Sequence, residues 1–268
     1  MAKQSGIHQI KGKVGEMSYY QQSGVNAGLL RRINQGMSAR VKTGEEYANT
    51  RRSNVEFGGA ADAARLMALT VQPKYRPMFL NFSQAKLTKD IYDIMRTHTA
   101  AWGERALDTS DTDALCDALN KLAKKNYNEY FGSVSVEAGD TEGTEVLSIA
   151  MPATSVDAML SLGADGVRFL VKTFNVQTGK YVANQNKIVN GFLSIIEESD
   201  STDDFVPGSD VTSEIQINAQ ETHITPVFLT NHEVSVVVAL PYRTINNVKY
   251  TLQELCSFIA LPSVYAHE

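Results

Sequence analysis

The sequence predicts an α+β protein with an N-terminal β-hairpin arm and a three-helix region, followed by an antiparallel β-sandwich of immunoglobulin-like or jelly-roll type. Three observations predict this class: a glycine-punctuated aromatic run near the start, helical periodicity up to residue 130, and period-two alternation from Gly132 onward. A chain of 268 residues is long enough to bury a substantial core. We expect an arm over residues 1–34, a helical region over 35–131 and a sandwich over 132–268.

The arm has the pattern of a short β-hairpin. Ile7 and Ile10 lead into it, Gly12 and Gly15 punctuate it, and residues 17–20 form an aromatic strand. Two strands alone cannot bury enough apolar surface to be stable in water. The arm is therefore predicted to dock, either on the rest of this chain or on a neighbouring molecule.

A first helix is predicted over residues 43–70, because Thr43 and Glu46 have the spacing of a capping box. Gly58 and Gly59 lie inside it, and glycine weakens a helix interior, so a kink or break is expected there. The small residues from Gly58 to Ala68 predict a close approach to a second helix or to a neighbouring subunit.

Two further helices are predicted in the helical region. Residues 84–101 carry apolar side chains at helical spacing, and His98 continues this stripe, which favours a core or boundary histidine over a ligand. Residues 110–113 have the form of a capping box and open a third helix that reaches Tyr130.

The second half of the chain has the alternation of short strands separated by turns. An Asn246-Asn247 turn joins the last two predicted strands, and residues 197–210 form an acidic loop. The predicted strands are 134–136, 146–151, 167–176, 188–196, a strand near Val211 that includes 214–217, 227–229, 233–240 and 248–252.

Composition excludes several classes of protein. With 43% hydrophobic residues and 7 prolines, the chain is neither disordered nor collagen-like. No apolar run is long enough to cross a membrane and the first residues lack an apolar signal core, so we expect no membrane association and a protein that stays where it is made. Cys116 and Cys256 lie in apolar settings that predict buried free thiols.

No pattern predicts catalysis. The chain lacks a phosphate-binding glycine loop, a nucleophile elbow and a zinc helix. A metal site at His223 and His232, with Glu221 and Glu233 beside them, would need a hairpin and a further ligand, and the acidic loop lacks the order of a calcium loop. We therefore predict no catalytic residue, no metal ligand and no cofactor, and a protein that is not an enzyme.

Charge distribution points instead to assembly. Residues 1–76 have a net charge of +7, residues 77–130 of −1 and residues 131–268 of −11, which favours head-to-tail contact between copies. Arginines beside tyrosines also suit nucleic acid, but the acidic chain makes a DNA contact the weaker prediction. The predicted assembly residues are Lys11, Lys13, Tyr19, Tyr20, Arg31, Arg32, Arg51, Arg52, Gly58 and Gly59.

Two segments carry a family resemblance. Lys11-Gly-Lys-Val-Gly-Glu-Met-Ser-Tyr-Tyr20 and Thr50-Arg-Arg-Ser-Asn-Val-Glu-Phe-Gly58 resemble the hairpin and the helix motif of proteins from tailed phages and mobile elements of Bacteroidetes, including crAss-like phages. That resemblance implies a β-rich second half and a virion protein assembled in the host cytoplasm. It further implies a ring, neck or tail-tube subunit that contacts copies of itself and other virion proteins. It supplies no catalytic residue.

A second function stays open at this point. Tyr181, Tyr242 and Tyr265 lie in the sandwich region, and tyrosine rings exposed on its loops could stack on sugars in a host-binding or carbohydrate-binding module. The alternative for all three is packing in the core.

Overall fold

The computed structural model describes residues 2–4, 12–14, 17–21, 28–32, 37–71, 83–140, 144–182, 185, 187–218 and 229–263. It confirms the predicted α+β class, because helices accompany antiparallel sheets, two of which face each other as a sandwich. The chain divides into two compact units, Met1–Ser53 and Asn54–Glu268.

The first unit contains a four-stranded antiparallel sheet. Its strands are β1 (Ala2–Gln4), β2 (Gly12–Val14), β3 (Met17–Gln21) and β4 (Gly28–Arg32), in the order β1-β4-β3-β2. The pairing of β2 with β3 confirms the predicted hairpin, and two further strands widen it. Ile7, Ile10 and Gly15 lie outside the described residues.

The predicted capping box at Thr43 is wrong. A helix, α1 (Met37–Thr43), already ends at this residue, in a stretch that the sequence presents as a linker and a helix start. The Thr43 hydroxyl donates to the Ala39 carbonyl at 3.1 Å instead of capping a new helix. After a 3-10 turn at Glu45–Tyr47, the long helix α2 begins at Ala48 and ends at Thr70.

Helix α2 continues through its two glycines without the expected break. A Cβ on Gly59 would lie 2.5 Å from Cδ1 of Ile188, so the missing side chain allows the helix to approach that residue closely. The C-terminal half of α2 is buried from Ala60 onward. We attribute the unbroken helix to this packing, because tertiary burial outweighs the roughly 1 kcal/mol cost of each glycine.

The next two predicted helices are shorter than expected. Helix α3 (Gln84–Met95) ends before His98, and the third predicted helix is split into α4 (Thr112–Asn120) and α5 (Tyr127–Phe131). The capping box lies earlier than predicted, at Asp108 and Asp111. The Asp111 side chain accepts a hydrogen bond from the backbone N–H of Asp108, and the Asp108 side chain accepts one from the backbone N–H of Ser110.

A five-stranded antiparallel sheet is the centre of the second unit. Strands β7 (Gly166–Gly179), β10 (Phe192–Asp204), β12 (Leu229–Ile245) and β13 (Val248–Thr251) follow the order β10-β7-β12-β13, and β14 (Ser257–Pro262) also pairs with β12. The sequence did not predict β14. The Asn246-Asn247 turn is confirmed, with φ of 51° and 62°, as a two-residue hairpin turn requires.

A three-stranded antiparallel sheet faces one side of this centre. It consists of β5 (Ser133–Ala138), β6 (Thr144–Met151) and β11 (Val211–Asn218), in the order β11-β6-β5. The unpredicted helix α6 (Ala153–Ser161) follows β6, and a small pair, β8 (Tyr181–Val182) with β9 (Lys187–Ile188), follows β7.

The predicted acidic loop is wrong over most of its length. Residues 197–204 continue β10, at the edge of the five-stranded sheet, and pair with β7 from Thr173 back to Gly166. Their acidic side chains alternate between exposed and half-buried positions. Charged residues are tolerated and common on an edge strand, because one side of it meets water and charge discourages unwanted pairing.

Two apolar cores lie on opposite faces of the five-stranded sheet. On one face, Phe174, Val236 and Phe258 pack with α2, α3 and α4. On the other face, Phe169 and Val237 pack with the three-stranded sheet and with α5 and α6. The second unit is therefore three-layered, with helices on one side of the central sheet and a second sheet on the other.

Candidate assembly interface

Most predicted assembly residues of the arm lie in the four-stranded sheet. Lys13 pairs in register with Ser18, which also faces Arg31, and Tyr19 faces Leu30. In the same ladder Tyr20 faces Leu29 and Arg32 faces Met17. Lys11 lies outside the described residues. The register therefore brings four of the predicted residues onto the two central strands β3 and β4, with Lys13 on the edge strand β2.

The predicted residues of α2 have different roles. The guanidinium of Arg51 donates to the carbonyls of Val41 and Gly44 at 2.9 and 2.7 Å, so it ties the start of α2 to the end of α1. Arg52 is exposed. Gly58 faces open space, while Gly59 provides the close contact with Ile188. Arg52 and Gly58 are thus available for an external contact, and Arg51 and Gly59 stabilise the chain itself.

Glu56 is a structural residue that the sequence analysis did not single out. It belongs to the helix motif that carries the family resemblance, yet its side chain is fully buried. One carboxylate oxygen, Oε1, accepts from the backbone N–H of Gly103 at 2.7 Å and lies 3.0 Å from Nε of Arg105. Part of that motif therefore fixes α2 to the loop before α4.

The two structural units carry opposite charge. The unit Met1–Ser53 has nine basic and three acidic residues, a net charge of +6, whereas Asn54–Glu268 has sixteen basic and twenty-seven acidic residues, a net charge of −11. The boundary between basic and acidic sequence thus falls close to the boundary between the compact units. Such segregation favours contact between the basic unit of one molecule and an acidic surface of another.

Strand β10 is the most acidic edge of the second unit. Among the described strands it pairs on one side only, with β7, and Ser213 of β11 reaches it through a hydroxyl contact with Ser201 at 2.8 Å. Two of its carboxylates have basic partners on β7: Asp200 lies 2.6 Å from Arg168 and Glu198 lies 2.5 Å from Lys172. The five acidic side chains of β10 are Glu197, Glu198, Asp200, Asp203 and Asp204.

The end of β10 is joined to the β12–β13 hairpin by a polar cluster. The hydroxyl of Tyr242 donates to Asp204, and the ammonium of Lys249 lies 3.3 Å from Asp204 and 4.2 Å from the centre of the Tyr242 ring. The hydrogen bonds from Tyr242 and Lys249 lower the pKa of Asp204. Burial and the neighbouring Asp204 raise the pKa of Asp203.

Tyr242 does not provide a platform for sugar stacking. It is 3% exposed and its hydroxyl is engaged, so its ring packs in the protein as the alternative interpretation predicted. Tyr181 is half-buried and Tyr265 lies outside the described residues. Beyond Tyr242 the hairpin projects apolar side chains into solvent, with Ile245, Val248 and Tyr250 about half exposed.

The opposite edge of the five-stranded sheet is covered rather than open. The side-chain amide of Asn120 donates to the carbonyl of Ala260 at 2.8 Å and accepts from its N–H at 2.7 Å, which satisfies both outward groups of this residue of β14. A groove of about 1230 Å³ runs here between α4, α5, β5 and β14. Protected edges of this kind resist strand addition, so β10 is the better acceptor.

One cluster in the described ranges brings three ligand-type side chains together. His98, Asp108 and Asp111 have ligand atoms within 4.8 Å of one another. Both imidazole nitrogens already face carboxylates, with Nε2 3.0 Å from Asp111 and Nδ1 3.4 Å from Asp108. Hydrogen bonds from Ser110 lower the pKa of Asp108, with a smaller effect of His98. These contacts account for His98 as a boundary histidine.

The side chain of His232 points away from that of its neighbour Glu233, and both of its ring nitrogens have polar partners. It is fully buried between Thr112 and Thr178, whose hydroxyl oxygens lie 2.9 Å from Nδ1 and Nε2 respectively. His223 lies outside the described residues. His232 and Glu233 point to opposite faces of β12 because strand side chains alternate, so the two do not converge on one metal.

The cysteine prediction is confirmed, since Cys116 and Cys256 are free and buried. Burial raises the pKa of the Cys256 thiol to about 12 and also raises that of Cys116. Both are therefore unreactive packing residues at neutral pH.

The described residues thus form a three-layered α+β unit and a separate unit with a small basic sheet. Comparison with protein-family models, curated proteins and solved structures gives no significant match. Within the ranges given above, no helix combines the length and the hydropathy needed to span a membrane.

Proposed function

We propose that this protein is a structural subunit of a tailed-bacteriophage particle, in a ring, the neck or the tail tube. The basic unit of one copy binds the acidic edge strand β10 of the next. The observation that carries the proposal is the coincidence of charge with structure: a net charge of +6 on one compact unit and −11 on the other. The resemblance of the hairpin and helix motifs to phage proteins supports the particle assignment.

The contact combines two kinds of interaction. An edge strand with unpaired backbone groups can accept a strand from another molecule, and complementary charge fixes the orientation of the encounter. Because the donor and acceptor surfaces differ, the contact is heterologous and closes into a ring when the rotation between copies allows it. The exposed apolar tip of the β12–β13 hairpin supplies a further surface for neighbouring virion proteins.

Light scattering of the purified chain tests the proposal. We expect a discrete oligomer in about 50 mM salt that dissociates in about 500 mM salt, because screening weakens contacts between exposed charges. Deletion of residues 1–34 removes all four strands of the basic sheet, and among the residues whose burial the structure describes the core begins in α2. The shortened chain should therefore keep its thermal midpoint and lose the oligomer.

A charge reversal on β10 tests whether the oligomer depends on this strand or only on the overall charge of the chain. Asp200→Lys should weaken the oligomer, whereas Glu129→Lys, the same change of charge on the exposed face of α5, should leave it intact. The Asp200–Arg168 pair is half exposed, so its loss costs at most about 1 kcal/mol of stability. A shortened chain that forms the same oligomer, or equal effects of the two reversals, would contradict the proposal.

A further inference from the structure

The imidazole of His98 lies between two carboxylates just before α4. Nε2 is 3.0 Å from the carboxylate of Asp111, and Nδ1 is 3.4 Å from Oδ2 of Asp108. A neutral imidazole has one N–H and one nitrogen lone pair, so it donates a hydrogen bond to only one of these two groups. The other nitrogen then presents a lone pair to a carboxylate, unless a cation lies between them.

The two distances give the two nitrogens different roles. The 3.0 Å contact of Nε2 with Asp111 lies within the range of an N–H···O hydrogen bond, about 2.7–3.2 Å. The 3.4 Å separation of Nδ1 from Asp108 is longer than that range. It fits two ligand atoms on one tetrahedral Zn²⁺ ion, because atoms bound at about 2.0–2.1 Å are then about 3.3 Å apart.

Hydrogen bonds hold both carboxylates in place. Oδ1 of Asp108 accepts from the backbone N–H and the hydroxyl of Ser110, at 2.9 and 2.5 Å, while Oδ2 faces His98. Asp111 accepts from the backbone N–H of Asp108 at 2.8 Å. Among the residues that the structure describes, no lysine or arginine forms an ion pair with either carboxylate. The cluster therefore has two negative charges that no basic side chain of these residues balances.

We propose that Nδ1 of His98 and Oδ2 of Asp108 bind one Zn²⁺ ion. Zinc accepts nitrogen and oxygen ligands, and water fills its remaining positions here because the Asp108 side chain is 57% exposed. Asp111 is a positioning residue, since a zinc-bound histidine typically donates its other ring N–H to a carboxylate that orients the ring. Calcium and magnesium fit less well, because they prefer oxygen ligands.

The ion closes the loop between two helices. His98 follows α3, and Asp108 precedes the 3-10 turn that leads into α4, so the metal joins the two ends of residues 99–107. The same loop is fixed to α2, because the backbone N–H of Gly103 donates to Glu56 at 2.7 Å. A metal bridge across a loop favours the folded state by restricting the unfolded chain.

Zinc titration of the full chain after dialysis against EDTA tests this site. We expect equilibrium dialysis to show about one Zn²⁺ ion per chain that depends on His98, and the thermal midpoint to rise with ZnCl₂, because an ion that binds only the folded state stabilises it. MgCl₂ at the same concentration should leave the midpoint unchanged, since one of the two ligands is a nitrogen.

Substitutions at the cluster locate the ion. Asp111→Asn removes the charge that positions the imidazole and should lower the zinc affinity about tenfold to a hundredfold. Asp108→Asn keeps an oxygen for Ser110 but replaces the charged ligand, and His98→Gln removes the nitrogen ligand, so both should lower the affinity further. Asp113→Asn, the same change at an exposed residue in the first turn of α4, is the control and should bind zinc as the unaltered chain does.

Nitrogen-15 NMR of the unaltered chain identifies the coordinating atom without a substitution. Zinc should shift the Nδ1 resonance of His98, while Nε2 keeps the proton that it donates to Asp111. Protons on both nitrogens in the presence of zinc would show that a second proton, and not a metal ion, lies between His98 and Asp108.

Two further outcomes would overturn the proposal. One is the absence of a zinc-dependent rise of the midpoint at about 100 µM ZnCl₂. The other is an affinity that is unchanged in His98→Gln and Asp108→Asn, or lowered equally in Asp113→Asn. The site uses no residue of the arm or of β10, so its failure and the failure of the assembly proposal are distinguishable.

Discussion

The two faces of the five-stranded sheet bury polar groups in different ways. On the helix face, His232 has hydroxyl contacts at both ring nitrogens, from Thr112 and Thr178. On the face toward the three-stranded sheet, Asn175 and Gln177 are as deeply buried but have carbonyl oxygens without a partner. The buried polar groups named here therefore differ: His232 is satisfied at both nitrogens, whereas two amide oxygens on the other face have no hydrogen-bond partner.

Satisfied and unsatisfied buried polar groups have different consequences for the protein. Burying a polar group without a hydrogen bond costs free energy, so satisfied polar groups serve the fold. Unsatisfied ones persist where the surrounding structure compensates for them, and functional sites are where proteins retain such costs. The apolar end of the inter-sheet space provides that compensation here, since Phe169 and Val237 are fully buried in it.

The largest expected effect is at the apolar end. Phe169→Ala removes a fully buried ring from the core between the sheets and should lower the free energy of unfolding by about 3–5 kcal/mol. Urea denaturation measures the change. Phe192→Ala, at a residue that is 47% exposed, is the control and should cost less than about 1 kcal/mol. Similar losses in both variants would show that the inter-sheet core does not hold the layers together.

A smaller effect is expected on the helix face. Thr178→Val keeps the shape of the side chain but removes the hydroxyl that lies 2.9 Å from Nε2 of His232. Because both residues are buried, the loss should be about 1–3 kcal/mol. The same change at Thr212, which is exposed on β11, should alter the free energy of unfolding by less than about 0.5 kcal/mol. A neutral Thr178→Val would remove the contrast between the two faces.

The sequence predicted those elements whose pattern is local. Alternation around Val134 and Val136 marks β5, and the Asn246-Asn247 turn marks the last hairpin, whose strands need the positive φ that asparagine tolerates. The aromatic run marks β3 and its partner β2. In each case neighbouring residues determine the conformation, so the pattern is visible without knowledge of the rest of the chain.

The misplaced elements depend on tertiary partners. Residues 197–204 have the composition of a loop and become a strand because β7 supplies a ladder of matching length. Strand β14 is buried on both faces over its first four residues and so lacks the alternation that marks β5, and Asn120 from α4 completes its edge. The break expected at Gly58 and Gly59 is absent because Ile188 packs against the second glycine. Only the folded arrangement shows these contacts.

The candidate site residues also divide into those that local sequence predicts and those whose role depends on the fold. Arm residues such as Lys13 and Arg31 could be proposed from charge and composition, because a basic stretch in an acidic chain is visible in sequence. Arg51 could not be assigned a structural role, since its contacts with Val41 and Gly44 depend on the turn between α1 and α2. Asn175 and Gln177 alternate with apolar residues, and a solvent-facing strand would have the same pattern. Their burial follows from the second sheet, which the alternation alone does not place.

The smallest expected effect comes from comparing a buried amide whose carbonyl oxygen has no hydrogen bond with an amide that makes two. Asn175→Leu should change the free energy of unfolding by less than about 1 kcal/mol in either direction, because the replaced carbonyl oxygen has no hydrogen bond to lose. Asn120→Leu is the matched control. It removes two hydrogen bonds to Ala260 and should cost about 2 kcal/mol or more, since the backbone N–H and C=O of Ala260 lose their partner.

Urea denaturation of the unaltered chain and of the two variants measures both effects. A large loss for Asn175→Leu would mean that its amide serves the fold, and the two faces of the sheet would then be satisfied in the same way.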